Sequence, residues 1–150
     1  MPKNQDTVDK LFTRFNVKDV ETNLLESAQF KLWDETVSKV FGHRVFQANH
    51  AMMLRLTEQH GEKELSSILA AAKQVPGTKY VAVNLLRAQM EHWVEQKIPA
   101  DKVFGYLKLD KAGDKLFTSP VLTRWMAFVG RNSENLYKLL GRYLLKNSTA

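Results

Sequence analysis

The chain has 150 residues, a formal net charge of +6 at pH 7 and no cysteine. That length fits one ordinary domain or two small modules and buries about two-thirds of the unfolded surface, so no disulfide or metal staple is needed. The missing thiols exclude a disulfide scaffold, thiolate zinc sites and cysteine catalysis, and they suit a reducing compartment.

Helical periods dominate from the first residues onward. The opening Met1-Pro2-Lys3-Asn4-Gln5-Asp6 is polar and carries no signal-peptide-like apolar core. A short helix is expected over 7–15, capped by Asp6 or Thr7, followed by an irregular link over 16–26. Ser27 caps a helix to about Phe41, and a third helix runs from Arg44 to His60, where Gly61 suits a left-handed stop. A fourth covers 62–74, with Leu65, Ile68, Leu69 and Ala72 on one face, and ends at Pro76-Gly77. Thr78 is expected to cap a long helix to about Gln96. Its start, Tyr80-Val81-Ala82-Val83, alternates like a strand, but Leu85, Leu86, Met90 and Trp93 continue at helical spacing. Pro99 opens a short helix to Leu107, and a turn covers 110–113. Ser119-Pro120 then starts a helix to Val129, and Ser133 caps a last one to Leu145. The expected fold class is all-α, with about eight helices, short links and a continuous core. No run of 18 apolar residues occurs, so no membrane span is expected.

Displaced by 92 residues, the chain matches itself. Between positions 9 and 37 seven residues are identical without a gap: Asp9, Lys10, Phe12, Leu24, Ser27, Trp33 and Val37. Each copy has a short helix with an aromatic (Phe12, Phe104) and a loop with apolar anchors (Leu24 and Leu25, Leu116 and Phe117). A serine-capped helix follows, in which Phe30 or Leu122 stands three residues before Trp33 or Trp125. That spacing puts both side chains on one helical face, as core anchors more readily than as a ligand cage. The stripe of Leu85, Leu86, Met90 and Trp93 is expected to bind the first module to the second.

These residues resemble the oomycete RXLR effectors that carry WY and tandem LWY repeats. The likeness rests on the tryptophan motifs at 27–33 and 119–125 and on Tyr137 within 135–140. It rests also on the segment 82–93, followed by Pro99, Val103-Phe104 and Leu107-Lys108-Leu109-Asp110. In the first copy the Y-like region spans 50–56 through 61–65, where methionine and leucine stand in for the aromatic, and no Arg-x-Leu-Arg string occurs in the chain. The resemblance implies tandem helical modules: a first over 7–75, a linking L-type helix over 78–98 and a second module over 99–147. It also implies a secreted virulence protein of the Phytophthora type that acts in the host cytoplasm or nucleus. There it would bind a host plant regulatory or signalling protein without catalysis and suppress immunity, and a homodimer is a further expectation.

The residues themselves point away from catalysis. His43, His50, His60 and His92 have no metal-ligand spacing, and no glycine-rich phosphate loop or Gly-x-Ser-x-Gly elbow occurs. Glu91-His92 and His60 with Glu64 are read as solvated surface pairs, and Met52-Met53 as core filling. No cofactor is expected. The charge excess lies late: residues 1–100 hold 13 basic against 12 acidic side chains, residues 101–150 hold 9 against 4. Arg131, Lys138, Arg142 and Lys146 form the candidate partner-contact surface, the last three on one side of the final helix. The alternative is a nucleic-acid-associated helical protein acting in the nucleus, but the basic residues are scattered, not clustered in a run. The expected core anchors are Phe30, Trp33, Trp93, Phe104, Leu122, Trp125 and Tyr137.

Overall fold

The apolar spacing read from the sequence becomes seven α-helices and four 3-10 turns, with no strand, among the residues that the computed structural model describes, 3–131 and 141. The helices are α1 (Lys3–Arg14), α2 (Ala28–Phe41), α3 (Val45–His60), α4 (Glu62–Lys73), α5 (Lys79–Glu95), α6 (Ala100–Tyr106) and α7 (Leu122–Arg131). The expected last helix and Tyr137 lie outside the described residues.

Helix ends follow local chemistry, with three departures. Ser27 accepts a hydrogen bond from the Phe30 amide at 3.0 Å and donates to the Leu24 carbonyl at 2.7 Å, which fixes the start of α2. Gly61, at φ 84°, ends α3 in a conformation that a side chain resists. The first departure is α1, which begins at Lys3 instead of near Thr7. Its extra turn is held by Gln5, whose amide donates to the Asp9 carboxylate and to the Ala51 carbonyl, each at 3.1 Å. The second is Thr78. It stands directly before α5 and its carbonyl accepts from the Ala82 amide at 3.0 Å, but its hydroxyl donates backward to the Ala72 carbonyl at 2.7 Å, so it also ties down the end of α4. The third is α7, which starts at Leu122, not at Pro120, and runs through Gly130 to Arg131. A helical glycine costs only about 1 kcal/mol, less than burial of Leu122, Trp125, Phe128 and Val129 on the same helix returns.

The chain divides into two compact units between Gln89 and Met90, inside α5. In the first unit α1, α2 and α3 pack on one another and α4 packs on α3. Their buried stripes meet: Val8 and Phe12, then Phe30, Trp33, Val37 and Phe41, then Met52, Met53 and Leu56, with Leu65 and Leu69 from α4. In the second unit α6 packs on α7 and on the 3-10 turn Leu109–Lys111. The core expected to run continuously is thus resolved into two clusters of buried side chains, because α5 changes company along its length. Ala82, Leu85, Leu86 and Ala88 belong to the first cluster; Trp93 belongs to the second, with Met90 and Val94 against it.

Candidate partner-binding surface

The two copies build the same aromatic joint. Trp33 is wholly buried, meets Phe12 edge-to-face at 5.0 Å and 70°, and donates its indole N–H to the Val8 carbonyl at 3.0 Å. Trp125 is also wholly buried, meets Phe104 at 5.0 Å and 72°, and donates to the Ala100 carbonyl at 2.9 Å. Each indole therefore reaches back 25 residues. It holds the first helix of its copy against the helix that carries the tryptophan, with the indole's one polar atom satisfied. Asn16 and Lys108, again 92 apart, both take the left-handed conformation at φ 58° and 60° and lead into matching 3-10 turns.

All six described anchors are interior. Phe30, Trp33, Trp93, Phe104, Leu122 and Trp125 are buried, and Trp93 packs edge-on to Phe128 at 6.4 Å. Arg124 lies 5.5 Å over the Trp93 ring, and burial pushes its guanidinium down to about 10. Met52 and Met53 are likewise core. These rings and thioethers are occupied with packing.

The basic candidate surface is described only at Arg131, since Lys138, Arg142 and Lys146 lie outside the described residues. Arg131 is forked onto Glu91, with Nη2 to Oε2 at 3.1 Å and Nη1 to Oε1 as the second arm. The hydrogen bond from Arg131 holds the Glu91 carboxyl below its ordinary value, and Glu91 raises Arg131 in turn. Arg131 therefore presents a neutralised pair to solvent. Burial, and then the neighbouring Glu35, raise the Asp34 carboxyl. His60 Nδ1 stands 3.6 Å from Glu64. Among the described residues no group of three histidines or carboxylates could hold a metal ion, and no helix is long and apolar enough to cross a membrane. The sequence reading missed the outward aromatics: Phe46 (75% exposed), Tyr80 (77%) and Phe117 (57%). Phe117 was expected to be an apolar anchor like its counterpart Leu25, but Leu25 is buried and Phe117 faces outward.

The described residues thus define an all-helical repeat protein whose two copies each spend a buried tryptophan and phenylalanine on the same internal joint. The comparisons give that class a family. No family model matches the chain. The RxLR effector protein PSR2 of Phytophthora infestans is 32% identical over 127 residues, which is 85% of this chain and 17% of that protein. PSR2 of Phytophthora sojae is 30% identical over 126 residues, 84% of this chain and 19% of that protein. The crystal structure of PcRxLR12 superposes with a TM-score of 0.77 at 25% identity, covering 91% of this chain and 33% of that one. The chain thus spans less than a fifth of the length of either PSR2 relative. The chain is homologous over most of its length to RxLR effectors of oomycetes and has the all-helical fold of one of them, consistent with a WY-type effector domain.

Proposed function

We propose that this chain is the protein-binding part of a secreted effector that acts inside plant cells, without catalysis, and suppresses immunity by engaging a host regulatory or signalling protein. The observation that carries the reading is the burial of both copies' aromatic joints within a chain whose relatives are named effectors. Packing consumes the residues that a small-molecule pocket would use, so specificity falls to the exposed side chains. Arg131 enters that surface already paired with Glu91, so a basic face there depends on the residues that follow it.

The test is capture from plant tissue. The tagged chain, expressed in leaves, is expected to retain a discrete host protein and to lower an elicitor-triggered oxidative burst. A bait that enriches nothing over a tag control and leaves the burst unchanged removes the proposal. Sedimentation of the purified chain decides whether it also pairs with itself.

A further inference from the structure

The first unit has a cleft of about 240 Å³ between the turn at 20–26 and α4. Its lining is apolar at Leu24, Leu25, Ile68 and Ala72, with Val75 37% exposed among the lining residues. Small residues keep one wall low: Ala71 and Ala72 stand where longer side chains would fill the space. Thr78 also lines the cleft, but its hydroxyl is committed to the Ala72 carbonyl, so it adds no free donor there. Three carboxylates belong to the same lining, Glu21 and Glu26 from the turn and Glu64 from α4, and all three are exposed. Asn23, held left-handed at φ 52°, shapes the turn that carries the first two.

We propose that this cleft docks a short segment of a host protein in which an apolar side chain is flanked by lysine or arginine. The inference rests on the protein-binding reading above and names the partner's chemistry. Size argues for a side chain over a cofactor, because small-molecule pockets run from about 300 to 1,000 Å³. Charge argues for a basic flank. A chain with net charge +6 places three carboxylates around this apolar recess, with His60 beside Glu64 as the one basic-capable side chain in the lining, and complementary charge steers encounter and fixes register. The feature is an addition to the repeat. The positions 92 residues after Glu21 and Glu26 are Gly113 and Thr118, so the second copy lacks both turn carboxylates.

A fluorescein-labelled helical peptide of alternating leucine and lysine pairs is the probe, with a leucine–glutamate peptide and an alanine–lysine peptide as comparisons. The full chain is expected to bind the leucine–lysine peptide at least tenfold more tightly than either. Glu21→Lys with Glu64→Lys, and separately Ala71→Trp, should each weaken it tenfold or more, whereas Glu35→Lys on α2 changes it less than twofold. Equal binding of the alanine–lysine peptide, or equal loss in Glu35→Lys, overturns the proposal. Should a cleft variant lose its helical circular dichroism, methyl shifts in the wild-type chain decide. Peptide-induced shifts at Ile68 and Val75 support the cleft, and shifts confined elsewhere refute it. Host-protein capture separates the two readings. If wild type and cleft variants retain a host protein equally, the cleft idea fails and the protein-binding reading stands. If cleft-dependent peptide binding occurs with no host protein retained, the protein-binding reading fails and takes the host-segment assignment with it, although the cleft's preference for a basic-flanked apolar side chain stands.

Discussion

Trp33 and Trp125 are 92 residues apart and sit in joints that agree to 2° in ring angle and 0.1 Å in hydrogen-bond length. Between those joints and the capping serines the copies diverge. In the first, Leu25 is buried and Ser27 both accepts and donates; in the second, Phe117 is 57% exposed and Ser119 accepts only a 3.4 Å bond from Val121. The lesson is where the repeat is strict. Positions that fill the joint keep shape and polarity together, because a buried indole needs both volume and a carbonyl. Positions on the turn need neither, so they are free to differ, and the acidic cleft arises on one of those turns.

The largest expected effect tests the strict part. Trp33→Ala or Trp125→Ala removes a fully buried ring together with its indole hydrogen bond, which should cost about 3–5 kcal/mol. The matched joints predict matched losses, with hydrogen-exchange protection falling first in residues 3–89 for Trp33→Ala and in 90–131 for Trp125→Ala. Urea unfolding of the two variants checks it; a loss confined to one would break the equivalence of the copies.

The next pair probes the divergent turn. Leu25→Ala opens a cavity beside Leu24 and should destabilise by about 2–5 kcal/mol, whereas Phe117→Ala removes an exposed ring and should stay within about 0.5 kcal/mol. Equal losses would mean that Phe117 is covered in solution. Ser27→Ala should cost about 1 kcal/mol through its short cap bonds, and Ser119→Ala less than half of that. Both are read from thermal midpoints.

The helical class, the repeat and most helix ends were legible because they rest on local signals. Phe30, Trp33, Val37 and Phe41 keep helical spacing, Ser27 is a strong cap, and Gly61 needs a positive φ. Lys108 shows what the repeat adds. Lysine carries no preference for the left-handed region, and the sequence reading made no such expectation for Lys108; its φ of 60° matches the 58° of Asn16, its partner in the repeat. Other features were illegible because they join distant residues. The indole bonds span 25 positions, and the cleft joins a turn at 20–26 to α4. The Gln5 contact that lengthens α1 reaches Ala51. A periodicity argument sees a single helix at a time, so the sequence reading looked for a binding surface among late basic residues and passed over the acidic recess.

The smallest expected effect compares two ion pairs at equivalent positions. Lys39 in the first copy pairs with Glu35 on its own helix at 3.6 Å, while Arg131, its counterpart, reaches from α7 to Glu91 on α5. A pair four residues apart on an exposed helix adds little to tertiary stability. One that ties two helices, with a forked guanidinium, adds to the stability of the unit itself. The Glu91 carboxyl titrates below its ordinary value in the folded chain, so between the two values the unfolded state binds more protons and stability rises with pH. The contribution is complete above the ordinary carboxylate range and disappears as pH falls through the lowered folded value. Glu91→Gln should therefore lower the urea midpoint of the second unit at pH 7 and leave it unchanged well below pH 4. Glu35→Gln should move neither. Because both partners of the α5–α7 pair are nearly half exposed, concentrated salt should also shrink the pH 7 difference. A Glu91→Gln shift that persists in acid would show that the side chain acts through packing and not through its charge.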